Sequence, residues 1–154
     1  MPVVYQPPYY ILNLMNKIVG SSTPDTTNNA YVPGVCNINT AEITHRRKAG
    51  YLGLAIFVIL VAPLLVFDLP RLIRVILFVP AFLAAIGFLQ AHYKFCVSYG
   101  ATGKQNAAEG DKIAQNIIDK AARELDQKRT RTINQQAAGI ALLATVAALL
   151  IPQL

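Results

Sequence analysis

Three uncharged, strongly apolar runs dominate the pattern of hydrophobic and polar positions along the chain. Residues 49–67 give nineteen residues without a charged side chain, residues 75–91 give seventeen, and residues 137–154 give eighteen. About 20 apolar residues are needed to cross the hydrocarbon core of a bilayer as a helix. The pattern therefore predicts an all-α integral membrane protein with three transmembrane helices, a hairpin plus one, at about residues 48–67, 72–93 and 136–154.

The composition supports a membrane protein. The chain has 154 residues, of which 54% are hydrophobic and 14% are charged, whereas soluble domains carry about 25% charged residues. A buried core helix is the alternative for any one run, but too few polar residues remain to cover three helices that are apolar all round. The composition thus argues against a soluble enzyme and against a disordered chain.

Two polar segments flank the predicted hairpin. Residues 1–35 form a tail with a short apolar patch at 9–19, which is too short to span. This patch either lies at the membrane interface or on a partner, or belongs to a loosely attached tail. Within residues 104–135, five apolar positions recur at helical spacing, which predicts a cytoplasmic amphipathic helix: Ala114, Ile117, Ile118, Ala121 and Leu125. This helix is either a docking surface or a simple connection between spans.

The net charge of +6 predicts an orientation. Twelve of the fourteen basic residues lie before the first span or between the second and third, and two, Arg71 and Arg74, lie in the hairpin turn. Because basic loops remain in the cytoplasm, the N-terminus is predicted to be cytoplasmic and the C-terminus outside, in a bacterial inner membrane. This topology accounts for the charge, so no nucleic-acid partner is predicted.

Small residues recur at helical spacing in two spans. The second span has Ala84, Gly87 and Ala91, and the third has Ala137, Ala141, Ala144 and Ala148. Such faces let helices approach closely in lipid. They are expected to pack either on each other or on another membrane protein.

Two groups of residues flank the predicted hairpin at regular spacing. Asn37, Glu42, Arg46 and Gly50 precede the first helix, and Cys96, Tyr99 and Gly103 follow the second. In this spacing the chain resembles, over residues 36–103, the YgaP-like transmembrane domain family, a small two-helix bacterial membrane domain of unknown function. The resemblance implies a membrane hairpin and no established reaction. Departures from the family pattern are Glu42 for Asp, Ile43 for Arg and Val97 for Pro.

The favoured interpretation of the motif is structural. Glu42 and Arg46 are spaced i and i+4, and folding of the hairpin brings them near the end of the second helix. There Arg46 is expected to donate to carbonyl groups left open at that helix end. Gly50 and Gly53 are expected to allow close approach of the two helices. The motif as a whole is then expected to hold the open end of the hairpin together.

Two chemical alternatives involve residues near the same membrane surface. His92 and Cys96, spaced i and i+4, could form a tetrahedral zinc site with Cys36 and His45, although the spacing of the last two matches no standard zinc motif. Alternatively, Cys36 and Cys96 could form a transient redox or sulfur-transfer pair. No cofactor is predicted otherwise, and zinc is the one metal considered.

The sequence contains no arrangement of nucleophile and base, no phosphate-binding glycine loop and no paired carboxylates. The leading hypothesis is therefore a non-catalytic accessory or scaffold subunit of a larger respiratory, photosynthetic or transport complex, with the lipid bilayer and other membrane subunits as its partners. The alternative is a cysteine-based redox, sulfur-transfer or metal-binding membrane protein that uses Cys36 and Cys96 at the cytoplasmic face.

Overall fold

The computed structural model describes residues 31–67, 70–110 and 112–151, and most of these residues are helical. The elements in chain order are α1 (Thr40–Val66), a 3-10 helix (Arg71–Leu77) that continues directly into α2 (Phe78–His92), α3 (Val97–Thr102), β1 (Lys104–Gln105), β2 (Gln115–Asn116) and α4 (Lys120–Leu150). The predicted tail lies outside the described residues, apart from residues 31–35.

Three helical segments are long and apolar enough to cross a membrane: Thr40–Val66, Arg71–His92 and Lys120–Leu150. The prediction of three membrane-spanning helices is therefore confirmed. We call the end of the bundle formed by residues 31–39, 93–110 and 112–119 the loop end, and the end formed by the 3-10 helix and the end of α4 the turn end.

Glycines set the distance between α1 and α2. A Cβ atom on Gly53 would lie 2.5 Å from the backbone nitrogen of Ala84, and one on Gly87 would lie 2.5 Å from the backbone nitrogen of Gly50. Any larger residue at these positions would force the backbones apart. The expected close approach at Gly50 and Gly53 is confirmed, and Gly87 contributes from α2.

Helix α4 packs on α2 through its small residues. Near the loop end, Ile133 and Ala137 pack with Ala85, Ile86 and Phe95 in one buried cluster. Near the turn end, Ala148 packs with Leu64 and Leu77. The small-residue face of the third span therefore faces this protein's own hairpin.

Helix α1 remains the most exposed of the three spans. In its most apolar stretch 17% of the residues are buried, compared with 44% for the segment that contains α2. Because these exposed positions are apolar, they are suited to contact with lipid acyl chains or with apolar surfaces of other proteins.

The predicted cytoplasmic amphipathic helix over 104–135 is not formed as a separate element. Residues 104–105 pair instead with residues 115–116 in an antiparallel two-stranded sheet, and α4 begins at Lys120, where the Asp119 side chain accepts a hydrogen bond from the Ala121 N–H. No proline and one glycine, Gly139, occur between Lys120 and Leu150. Nothing local therefore ends the helix at the membrane boundary, and α4 runs on as the third span.

Candidate functional site

The side chain of Asn37 joins the start of the described chain to the end of the hairpin. Its Oδ1 accepts a hydrogen bond from the Cys96 backbone N–H at 2.6 Å, and its Nδ2 donates to the Cys96 carbonyl at 3.1 Å. Its backbone N–H donates to the Lys94 carbonyl at 3.2 Å. Asn37 is fully buried. Its amide thus satisfies the Cys96 N–H and adds a second donor to the Cys96 carbonyl, which also accepts a hydrogen bond from the Gly100 N–H.

A second set of contacts links α1 to α3. Arg46 Nη2 donates to Glu42 Oε2 at 3.2 Å and to Cys96 Sγ at 3.2 Å. The Tyr99 hydroxyl donates to the other carboxylate oxygen of Glu42, also at 3.2 Å. Glu42 and Arg46 are about one quarter exposed, whereas Cys96 is fully buried.

We refer to the five residues that make these contacts as the clasp: Asn37, Glu42, Arg46, Cys96 and Tyr99. They are five of the seven residues in the sequence motif, and the fold brings them together at the loop end. One expected contact is wrong: Arg46 donates to the Cys96 sulfur and to Glu42, not to carbonyls at the end of the second helix. The chain turns back after α2, and the Gln90 carbonyl near the end of that helix already accepts a hydrogen bond from the Phe95 N–H at 3.0 Å.

The remaining two motif residues are glycines with backbone roles. Gly50 lies against Gly87, and Gly103 ends α3 in the left-handed conformation with φ of 68°. That conformation is favourable for glycine because it lacks a Cβ atom. The Gly103 carbonyl then accepts a hydrogen bond from the Ile117 N–H at 2.9 Å, which holds the loop after β2 against α3.

The loop that follows β1 is tied to the start of α1. The backbone N–H of Asn39 donates to the Asn106 carbonyl at 2.8 Å. The Asn39 side chain accepts from the Glu42 N–H at 3.0 Å as the N-cap of α1. Glu109 accepts hydrogen bonds from the Thr40 N–H and hydroxyl. The loop end is therefore a connected platform, and the clasp joins it to α1.

The electrostatics of the clasp keep Tyr99 neutral. Burial raises the pKa of the Tyr99 phenol above its ordinary value, and the negative charge of Glu42 and the hydrogen bond to it act in the same direction. The positive charge of Arg46 opposes them. A neutral hydroxyl is required for donation to Glu42, so the raised pKa and the observed hydrogen bond agree.

The four candidate metal ligands differ in exposure. Cys36 and Cys96 are both buried and free, whereas His45 and His92 are exposed. Cys36 Sγ lies 3.6 Å from the Ile38 carbonyl. Within the described residues, no group of three or more His, Cys, Asp or Glu side chains is close enough to hold a metal ion. Asn37, which follows Cys36 in the chain, links the two cysteines through the hydrogen bonds of its side chain to the Cys96 backbone.

The sequence did not indicate two buried charged residues. Asp126 on α4 is fully buried and accepts hydrogen bonds from the Gly34 N–H at 2.6 Å and from the Tyr31 hydroxyl at 3.2 Å. Arg74 in the 3-10 helix is also fully buried. In the sequence both resemble ordinary surface charges. The helical spacing from Ala122 to Asp126, with Ala122 also buried, is the one local signal that Asp126 shares a buried face.

Comparison of the chain with protein-family models, with curated proteins and with solved structures finds no match. The resemblance to the YgaP-like transmembrane domain family therefore rests on the motif spacing alone.

Proposed function

We propose that this protein is a small, non-catalytic accessory or scaffold subunit that packs in a larger membrane protein complex. The observation that carries the proposal is a set of exposed aliphatic side chains on the platform at the loop end, away from the apolar stretches of the helices. Ile113 is 80% exposed, Ile118 is 92% exposed and Val35 is 58% exposed. Exposed aliphatic surface of this kind, outside the spans, is suited to contact with another protein or with the membrane surface.

The clasp supports the same proposal. The groups of Asn37, Glu42 and Tyr99 that could act on a substrate are engaged in hydrogen bonds to one another or to the backbone. Such a network rigidifies a junction between helices and gives the platform a defined shape. A rigid platform above lipid-facing helices suits a subunit that positions neighbouring proteins.

The experiment compares exposed aliphatic residues at the two ends of the bundle. The chain is purified from its source in mild detergent, and associated proteins are quantified by mass spectrometry. We expect Ile118→Ala and Ile113→Ala to lower the recovery of a specific stoichiometric partner. Leu72→Ala is the matched control, because Leu72 is 82% exposed but lies at the turn end. Recovery of a monomer without a stoichiometric partner would contradict the proposal.

One specific observation favours a second candidate, a cysteine-based redox, sulfur-transfer or metal-binding protein. Arg46 Nη2 lies 3.2 Å from Cys96 Sγ, and a cation beside the sulfur is one feature that reactive cysteines share. Because Cys96 is fully buried, reaction requires the clasp to open. Double replacement of Cys36 and Cys96 by Ser separates the two candidates. If the protein is a scaffold, the variant still purifies with its partner. If it is a thiol or metal protein, the variant loses its thiol chemistry or its bound metal.

We further propose that the loop end faces the cytoplasm of a bacterium, with the protein in the inner membrane. Support comes from the basic residues: in the described part of the chain, only Arg71 and Arg74 lie at the turn end. Basic segments are retained in the cytoplasm, so the N-terminus is assigned to the cytoplasm and the C-terminus to the outside. Fusion of alkaline phosphatase to the C-terminus tests this, because the enzyme is active only outside the cytoplasm.

A further inference from the structure

Arg74 holds a positive charge inside the protein at the turn end, remote from the clasp. Its side chain has no exposed surface. Nη1 donates to the Ala148 carbonyl at 2.9 Å and to the Ile151 carbonyl at 2.7 Å. These carbonyls lie at the C-terminal end of α4, where the helix dipole is negative. A guanidinium carries a full positive charge, and Nη1 places it against the partial negative charges of these two carbonyls.

The other edge of the Arg74 guanidinium, formed by Nε and Nη2, carries further hydrogen-bond donors. Nε and Nη2 of Arg74 are buried, and neither finds a hydrogen-bond partner among the described residues. No acidic side chain in that part of the chain is ion-paired with Arg74. These two nitrogens lie on one side of the planar group, with the spacing that matches two oxygens of a phosphate or carboxylate. Since a buried charge without a counter-ion is strongly unfavourable, this edge is suited to an anion.

The position of Arg74 indicates where the anion comes from. Arg74 lies at the start of the apolar part of the span Arg71–His92, which places it near one surface of the membrane. Leu72 and Ile76 on the same 3-10 helix are 82% and 57% exposed and are suited to contact with acyl chains. A lipid whose chains contact these residues has its headgroup at the same membrane surface as the turn end.

We propose that the Nε–Nη2 edge of Arg74 binds a phosphate group at the turn end, supplied by the headgroup of an anionic phospholipid. The phosphate accepts two charge-assisted hydrogen bonds, while Nη1 keeps its bonds to α4. Because the edge is buried, the 3-10 helix adjusts to admit the phosphate. Such a helix has weaker hydrogen-bond geometry than an α-helix and can make this adjustment. Inorganic phosphate offers the same chemistry and is separated from lipid by experiment.

The test uses the full chain purified in an uncharged detergent, with thermal unfolding and native mass spectrometry as the measurements. The added probes are phosphatidylglycerol, diacylglycerol without a phosphate, and inorganic phosphate. We expect phosphatidylglycerol to bind and to raise the melting temperature of the wild type, and diacylglycerol to have no effect. In Arg74→Gln we expect phosphatidylglycerol to bind about tenfold more weakly or worse. Arg71→Gln is the matched control, because Arg71 is exposed on the same helix.

Several outcomes would overturn the proposal. An equal response of the wild type to diacylglycerol excludes recognition of a phosphate, and an equal loss in Arg71→Gln indicates general attraction of charge. A full response to inorganic phosphate assigns the site to the free ion and excludes lipid as the source. If Arg74→Gln does not fold, Arg74→Lys replaces it, with weaker binding of phosphatidylglycerol expected because lysine lacks the paired edge.

A counter-ion within the chain is the remaining competitor. Asp68 is the one acidic residue between Glu42 and Glu109 in the sequence. If Asp68→Asn destabilises the lipid-free protein as much as Arg74→Gln does, the anion is supplied by the chain and the lipid site is refuted. An unchanged lipid response in Asp68→Asn supports it.

Discussion

Asn37 and Cys96 lie 59 positions apart in the chain, and the side-chain amide of the first binds both polar groups of the second's backbone, at 2.6 and 3.1 Å. An asparagine amide has the same donor and acceptor as a peptide unit, so it substitutes here for a neighbouring strand. These two hydrogen bonds hold the segments before α1 and after α2 together at the open end of the hairpin.

Asn37→Ala is expected to destabilise the protein by about 2–4 kcal/mol, because it removes two buried hydrogen bonds and leaves the Cys96 N–H unsatisfied. Unfolding by sodium dodecyl sulfate, followed by circular dichroism in mixed micelles, measures the change. Asn134→Ala is the control, since Asn134 is exposed on α4, and it is expected to change stability by less than about 0.5 kcal/mol. Equal effects of the two substitutions would show that the amide of Asn37 has no special structural role.

Gly53→Ala is expected to push α1 away from α2 and to lower the free energy of unfolding by about 1–3 kcal/mol. The added methyl group would lie 2.5 Å from the Ala84 nitrogen, a contact that requires backbone movement. Gly139→Ala provides the opposite case, because nothing lies within 4 Å of its added Cβ. It is expected to stabilise α4 by about 0.5–1 kcal/mol. A neutral Gly53→Ala variant would disprove the tight packing at this crossing.

Tyr99 is expected to ionise at higher pH than a free tyrosine, whose pKa is about 10. Burial and the charge of Glu42 raise its pKa. The neutral phenol therefore contributes stability below pH about 10, and this contribution is lost as pH rises through the pKa of the folded state. Ultraviolet absorbance during a pH titration, taken as the difference between wild type and Tyr99→Phe, isolates the Tyr99 signal.

Glu42→Gln tests why the pKa of Tyr99 is raised. The substitution removes the negative charge beside the phenol, so the Tyr99 signal is expected to move to lower pH. It is not expected to reach the ordinary value, because burial is the largest contribution. If the Tyr99 absorbance change in the wild type occurs at the same pH as that of ordinary tyrosines, the clasp geometry is refuted.

Asp126→Ala is expected to release the turn at residues 31–36 from α4. Two hydrogen bonds to the carboxylate, from Gly34 and Tyr31, are lost, and each is worth about 1.5–3 kcal/mol. Chymotryptic cleavage after Tyr31 should accelerate about tenfold or more, because proteolysis follows the population of the open form. Glu124→Ala is the control, since Glu124 is exposed two residues away. No difference in cleavage between the two variants would contradict this docking.

The sequence alone predicted the membrane architecture and the position of Glu42 and Arg46 near the end of the second helix. Three uncharged runs of suitable length predict three spans, because a bilayer imposes a length and a composition on each helix independently of its neighbours. The motif positions before one helix and after the other predicted that Glu42 and Arg46 come near the end of the second helix, whereas the contacts of Asn37, Cys96 and Tyr99 were not predicted. Hairpin formation between adjacent spans is sufficient to bring them to one end.

Tertiary structure decided which groups form hydrogen bonds within the clasp and which charged side chains are buried. Residues 104–105 and 115–116 lie in the segment predicted to be an amphipathic helix but pair as a short sheet, after Gly103 has ended α3 in the left-handed conformation. Asp126 and Arg74 acquire their environments from segments 92 and 77 positions away. Local patterns report which face of an element is apolar, whereas the partner of a buried charge depends on how distant elements pack. The spans therefore follow from the sequence, and the clasp contacts and the Arg74 environment follow from the fold.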